Sequence, residues 1–457
     1  MKIGIVVHGP NIVDSGYALK IINFLKNFGE VHCILGGTMG RTAVIDTSLE
    51  DLIDISTKRL PSQSVKLFLE KNVDVIFLLN YGKSSLTGQT FGFKVFKNSF
   101  FNNSINNKIN RKSVEFIQIE RPGEFDGNII HWIGKDNDLI LKLSELLDLN
   151  ILNPEIIVNK YFKDELKIFN RIISDNTEDN INVNNEIKDG LTNGIADGMS
   201  DGITDSNNDN TGKNIEKVRN IYGASPNENI FVNGIVIGKS KSENVSLVSK
   251  NDRIVEIIGG DIKIHGVEKL GTVDIEKAIV KTGLLRKSNP NPRILSKTDN
   301  INIKAINKIE KDYINVAFID HAAEDIYNLD NIDLAVTIGD DTTLVASDIL
   351  FRFNIPIIGI TDGDLDKVVE NGYVADKSVI IEVKSGFDDI VGKSIFKNLF
   401  NSKYYLKLPI IIYKNKDNNE NKENFRNNRD IKFKIFEDFK KEVFKIVNNI
   451  TTEYKIK

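Results

Sequence analysis

Cysteine is nearly absent from this sequence: Cys33 is the single one in 457 residues. That excludes an intrachain disulfide and any zinc site built on several cysteines, and it fits a reducing compartment. Cys33 stands in the apolar run Val31 to Leu35 and reads as a small buried hydrophobe. A basic excess is missing too. Lys and Arg number 60 against 64 Asp and Glu, for a formal net charge of −4. Tracking a phosphate backbone needs a basic surface, so nucleic acid is not expected as the main partner. No stretch approaches the ~20 apolar residues that cross a bilayer, so no membrane is expected either. The chain enters the apolar run Lys2–His8 at once, too short for a signal h-region plus cleavage site. A cytoplasmic protein is the expectation, and its oligomeric state is not legible. Histidines are few, at 8, 32, 131, 265 and 321, and no two sit at metal-ligand spacing.

What is present is the alternation of an α/β protein, and the length calls for two or three domains. Residues 1–150 read as a Rossmann-like parallel-sheet domain, with strands at Lys2–His8, Glu30–Leu35, Val73–Leu79, Val114–Ile119 and Ile129–Ile133. Helical spacing marks Tyr17–Phe28 and Ser64–Lys71. Residues 151–220 read as a connector. Within it Asp175–Lys213 repeats Asp-Gly or Asn-Gly about every four residues, a composition that favours turns and cannot bury a core, so a flexible insert is expected. The nonapeptide period of a calcium-binding β-roll is lacking. Asn-rich runs at 98–110, 288–303 and 414–430 read as further loops. Residues 221–270 alternate with period two and read as a small β-rich module. A second α/β unit follows at 271–400, opening with a helical Val273–Gly283. Its strand–helix–strand pattern runs through Asn315–Ile319, Asp333–Ile338, Asp348–Phe353 and Pro356–Ile360. Residues 401–457 add a C-terminal strand and a charged helix, Phe433–Asn449.

In open parallel sheets ligands sit beyond the carboxyl ends of the strands. The N-terminal strands end in His8-Gly-Pro-Asn11, in Gly36-Gly37-Thr38-Met39-Gly40-Arg41-Thr42, in Asn80-Tyr81-Gly82-Lys83-Ser84 and in Glu120-Arg121-Pro122-Gly123. Glycines let a backbone approach an anion, and Arg41, Lys83, Arg121 and hydroxyls would neutralise it, which suits a phosphate or carboxylate ligand. Gly82-Lys83-Ser84 is not a Walker A loop, because Phe77 stands where the required upstream glycine belongs. A plain strand-to-helix turn explains Gly36–Thr42 equally well. The sharper constellation is Gly339-Asp340-Asp341-Thr342-Thr343 at the end of a buried strand, followed by Thr361-Asp362-Gly363-Asp364 at the end of the next. Carboxylates beside a helix N-terminus form a Mg²⁺–phosphate site, with the metal on Asp340 or Asp341 and the phosphate on the amides. The competing reading makes Asp and Thr a helix cap and Asp362 and Asp364 turn formers. His265, in His265-Gly-Val-Glu-Lys269, is a further candidate ligand contact beside His8 and Asn11, with a solvated turn as its alternative.

Two resemblances rest on these residues. Leu35–Asp46, Ile119–Gly123, Val232–Gly238, His265–Leu270 and Gly339–Thr343 are similar to an archaeal family of unknown function, found mainly in methanogens. That likeness runs nearly end to end apart from the Asn-rich inserts; it implies an archaeal cytoplasmic protein and no particular reaction. Residues 333–366 resemble the Gly-Gly-Asp-Gly-Thr segment of NAD kinases, diacylglycerol kinases and phosphofructokinases. Asp340 and Thr342 match its Asp and Thr, and Pro356, Gly359 and Ile360 match the second element. Ile338 replaces the first Gly and Asp341 the third, and the β-region precedes this segment, whereas NAD kinases place theirs after it. The resemblance implies phosphate handling without fixing a substrate. The leading expectation is therefore a Mg²⁺-dependent phosphotransferase acting on a nucleotide or phosphorylated metabolite, in which Asp340 and Asp341 hold metal or act as base. A non-catalytic nucleotide or metabolite sensor is the rival, and a Toprim-type reading of Asp362 and Asp364 is a third.

Overall fold

The computed structural model describes residues 1–101, 114–134, 138–177, 216–221, 223–284, 286, 288, 291–295, 312–320, 331–363, 372–410 and 428–457. They form two compact units. The first joins Met1–Pro226 to Ser240–Asp261 and Thr272–Ala278, and the second joins Asn227–Lys239 to Ile262–Gly271 and Ile279–Lys457.

In the first unit the apolar runs become β1 (Lys2–His8), β2 (Glu30–Gly36), β3 (Ile53–Asp54), β4 (Val75–Asn80), β5 (Glu115–Glu120), β6 (Asn128–Ile133) and β7 (Asn150–Leu152). Their order is β3-β2-β1-β4-β5-β6-β7, and every neighbouring pair is parallel except β5 with β6. This is the α/β, Rossmann-like organisation expected of the N-terminal residues. The helices are α1 (Asn11–Asp14), α2 (Tyr17–Leu25), α3 (Arg41–Asp46), α4 (Pro61–Glu70), α5 (Ser85–Phe100), α6 (Asp138–Leu147), α7 (Pro154–Tyr161) and α8 (Leu166–Thr177). β4 is buried along its whole length, so it carries no polar face and reads as a continuous apolar run. Aromatic rings from Phe93, Phe96, Phe116, Trp132 and Phe169 fill the layer between sheet and helices. The Asp175–Lys213 segment begins inside α8, and from 178 onward it lies outside the described residues, as do most of the Asn-rich runs. Of those runs, 98–100 belongs to α5.

The β-rich region comprises β8 (Glu216–Ile221), β9 (Asn229–Val232), β10 (Ile235–Ser240), β11 (Val245–Lys250), β12 (Arg253–Ile258), β13 (Gly260–Ile262) and β14 (Val280–Thr282). It makes two small sheets, β12-β11-β8 and β13-β10-β9-β14. β9 and β10 form a hairpin across Asn233-Gly234, both at positive φ, as a two-residue Asn-Gly turn requires. α9 (Ile264–Leu270) follows β13. The expected helix Val273–Gly283 is corrected to a turn that leads into β14. Here tertiary bonds override local periodicity: the Arg219 guanidinium takes the carbonyls of Ile275 and Ala278, and Lys217 holds Asp274.

The second unit carries β15 (Tyr313–Ile319), β16 (Leu334–Ile338), α10 (Asp340–Phe351), β17 (Ile357–Thr361), β18 (Val379–Val383), α11 (Asp388–Asn398), β19 (Tyr405–Pro409), α12 (Asn428–Ile450) and β20 (Tyr454–Ile456). The sheet order is β19-β15-β16-β17-β18-β20, with four parallel central strands and an antiparallel strand at each edge. Asp348–Phe353 is not a strand, since α10 extends to Phe351. Val336, Ile338, Ile358 and Ile360 pack with Val391 and Ile395 of α11 and Ile435 and Val443 of α12. The four central parallel strands β15, β16, β17 and β18 thus end at one edge of the sheet.

Candidate functional site

The chain turns out of β16 at Gly339, whose φ of 91 suits glycine alone, and Asp340 opens α10. Asp340 Oδ2 accepts the backbone N–H groups of Asp362 at 2.9 Å and Gly363 at 3.0 Å. Asp362 Oδ2 in turn accepts Gly386 N–H at 2.7 Å. Two carboxylates thus stitch together the loops after β16, β17 and β18. Burial raises the Asp340 pKa; the two N–H donors oppose this, and the neighbouring Asp362 carboxyl adds to it. Asp388, the first residue of α11, is pushed up to about 6 by burial and then by the Asp362 charge, with Lys269 acting in the opposite direction. Thr342 and Thr343 are buried in the first turn of α10, and Thr343 Oγ1 lies 2.9 Å from Thr337 Oγ1. Asp341 shares that turn.

Lysine meets this cluster from α9. A β-carbon on Gly339 would stand 3.7 Å from Lys269 Nζ and 3.9 Å from both Asp388 Oδ2 and Thr342 Oγ1. His265 and Lys269 are one helical step of four apart and so share a face of α9. Gly266 between them lets the helix lie flush on the hairpin, for a β-carbon there would overlap Val236 O at 1.9 Å. His265 Nε2 stands 3.4 Å from Asp389 Oδ2. Beside these residues opens a cavity of about 360 Å³, lined by His265, Glu268, Lys269, Asp320, Asp389 and Lys393 on its polar side and by Phe318, Ile338 and Phe396 on its apolar side.

The N-terminal candidates lie in the other unit. Gly82, Ser84 and Arg121 come together. Arg121 donates from Nη1 to Gly82 O and from Nε to Asp126 Oδ1 at 2.8 Å, and it faces the Tyr81 ring. Ser84 caps α5 through Thr87 N–H, and Asp126 Oδ2 accepts Ser85 N–H, so a carboxylate of the chain itself already faces this helix start. Gly36 ends β2 and Gly37 follows it, and Gly40 packs so tightly that its β-carbon would meet Gly9 O at 2.9 Å. Thr38, Arg41 and Thr42 are buried around α3. Asn11 begins α1, and His8 ends β1 against Asn80. Lys83 precedes the cap of α5. Asp364 lies outside the described residues.

Sequence reasoning missed Glu120, Asn80, Asp388, Asp389 and Lys393 as individual site residues. Asn80 and Glu120 stood at the ends of quoted strands, where position was the only signal. Glu120 is fully buried and its pKa is pushed up to about 7 by that burial, against the donors Asn80, Gly82 and Gln118.

Among the described residues no helix is long and apolar enough to cross a membrane. With this α/β architecture and these strand-end loops in view, the chain belongs to the archaeal family DUF2117, described as "Uncharacterized protein conserved in archaea", whose pattern matches residues 5–403. It is 43% identical over 408 residues to the uncharacterized protein MJ0065 of Methanocaldococcus jannaschii, covering 88% of this chain and 93% of that one. No solved structure matches.

Proposed function

We propose that the C-terminal unit binds a nucleotide or another phosphorylated metabolite together with Mg²⁺ and transfers its phosphoryl group. The supporting observation is the convergence of Lys269, Asp388 and Thr342 on the Gly339 turn, beside a cavity that also presents His265 and Lys393. Cationic side chains and a hydroxyl-bearing first turn suit phosphate oxygens. The apolar wall of Phe318, Ile338 and Phe396 suits a ring.

Among the described residues no three His, Cys, Asp or Glu side chains are grouped so as to hold a metal ion. Mg²⁺ does not need such a cage, because it takes one or two carboxylates and completes its shell with water and phosphate oxygens. Asp340 and Asp362, hard oxygen donors whose carboxyls face one another, fit that role and would hold the ion. Bound there, Mg²⁺ would neutralise phosphate charge. Lys269 would orient the phosphate, and the first turn of α10 would keep Thr342 in place. A sensor that binds the same ligand without turnover is the second reading, since the same cationic and hydroxyl groups would hold the ligand without any chemical step.

Asp340→Asn separates a metal site from a carboxylate that only ties the loops after β16 and β17 together. An amide oxygen still accepts the Asp362 and Gly363 N–H groups, so the fold is expected to survive. Mg²⁺-dependent binding of ATP, followed by titration calorimetry, is expected to fall at least tenfold, and phosphate release to cease. Equal Mg²⁺-dependent binding by both proteins would sink the metal assignment. Binding without phosphate release in the wild type would select the sensor.

A further inference from the structure

The aromatic rings beside the C-terminal cavity form a file that runs from the core to the surface. Phe400, 1% exposed, meets Phe318 with ring centroids 5.3 Å apart. Phe318 meets Phe396 at 4.9 Å, and Phe396 meets Tyr404 at 5.2 Å. Tyr404 is 56% exposed. The file is pinned through the backbone, where Tyr404 O accepts Phe318 N–H at 2.9 Å. Its two middle rings line the cavity. Phe318 is buried, so the partly exposed Phe396 offers the larger open surface.

α11 carries that ring on the same wall as a cation. Asp389, Gly392, Lys393 and Phe396 stand at i, i+3, i+4 and i+7, which is one stripe of a helix, and all four line the cavity. Gly392 seats the stripe on the end of β16, for a β-carbon there would stand 2.7 Å from Ile338 Cγ2. From Asp389 to Phe396 the stripe rises ~10 Å. α9 adds His265, Glu268 and Lys269, and Asp320 comes from the end of β15.

The lining is therefore of three kinds. Ammonium groups suit phosphate oxygens. Carboxylates accept from hydroxyls, even beside a partner within the chain, because each has about four acceptor sites. Ring faces take a flat partner. Phosphate alone would use the first kind, and a sugar phosphate the first two. A nucleotide uses all three, and a volume of about 360 Å³, toward the small end of the ~300–1,000 Å³ of ligand pockets, suits one base with its sugar.

We propose that the ligand of this cavity is a nucleotide whose base lies on Phe396 while its phosphates meet Lys269 and Lys393, so that Phe396 sets the preference over a sugar phosphate. The assignment rests on the phosphate reading of the same site and narrows it to one class of ligand.

The test is titration calorimetry of the full chain with four probes in Mg²⁺ buffer: ATP, tripolyphosphate, AMP and ribose 5-phosphate. ATP is expected to bind at least tenfold more tightly than tripolyphosphate, and AMP more tightly than ribose 5-phosphate. Phe396→Leu keeps apolar bulk and loses the ring; it should weaken ATP about tenfold, the worth of one stacked base, and leave tripolyphosphate unaffected. Phe396→Tyr should restore the difference. In NMR the adenine ring protons of bound ATP should move upfield, and less so with Phe396→Leu. Lys269→Gln should weaken ATP and tripolyphosphate alike, which tests the phosphate reading by itself. Equal affinity of the wild type for ATP and tripolyphosphate, which needs no variant to fold, overturns the base assignment and leaves the phosphate reading standing. AMP and ribose 5-phosphate binding alike overturns it in favour of a sugar phosphate, and undiminished ATP binding by Phe396→Leu takes the base off this ring. A wild type that binds none of the four overturns both readings.

Discussion

Replacing Glu120 with Gln removes a titrating group without changing its shape, and the consequence can be worked from its surroundings. The carboxyl is wholly buried and titrates near 7, against an ordinary value of 4.5. Between those values the folded chain holds a proton that the unfolded chain has released. The folded state binds more protons there, so stability falls as pH rises. The contribution is fully present below 4.5 and is lost once pH has passed 7. That interval corresponds to about 3 kcal/mol. Glutamine does not titrate, so the stability gap between wild type and Glu120→Gln should shift by about 3 kcal/mol against the wild type across the window and be flat on either side. Trp132 is the chain's single tryptophan and is buried in the same unit, so its fluorescence in urea melts reports this unit alone. A gap that stays constant with pH would refute the reasoning, since it would mean that Glu120 is ionised in the fold as readily as in water.

Two further outcomes follow from packing. Gly92→Ala places a β-carbon 1.6 Å from Gln118 Oε1. The helix propensity gained is at most about 1 kcal/mol, whereas displacing a buried, bonded amide costs about 1–3 kcal/mol and more if its partners are left bare. The Trp132-monitored midpoint should therefore drop, and a rise would mean that α5 does not press on β5 as described. Cys33, buried in β2 with its thiol pushed up to about 12 by burial, should resist alkylation in the native protein and react on unfolding. Fast native labelling, read by mass spectrometry, would show that β2 opens.

Strands were the most legible part of this chain because parallel strands buried on both faces leave continuous apolar runs. Lys2–His8 matches β1 residue for residue, and the expected Glu30–Leu35 falls one residue short of β2. α5 escaped notice because Gly88 and Gly92 interrupt its pattern, and those glycines answer to Glu120 and Gln118, far away in sequence. α9 read as a turn because it is only seven residues long. His265 was legible as a polar residue in a short motif. Its neighbour Asp389 was not, since that pairing depends on how α9 is set beside the first turn of α11, far away in sequence. The same holds for Asn80 and Glu120, adjacent only because β4 lies between β1 and β5.

The line of hydrogen bonds from Trp132 through Gln118, Glu120 and Asn80 to His8 is hard to explain as a device for stability. Two glycines on α5 each forgo about 0.5–1 kcal/mol relative to alanine so that Gln118 and Glu120 fit beneath the helix. Above pH 7 the Glu120 charge adds about 3 kcal/mol to that cost. An apolar pair under an alanine-bearing helix would fill the same layer, and exchanging buried ionic groups for packed hydrophobes is commonly neutral or stabilising. Natural chains break local packing rules chiefly where function requires it. In this unit the breach begins deep in the sheet and ends at the edge between β1 and β4, where Asn80 Oδ1 lies 2.7 Å from His8 Nδ1.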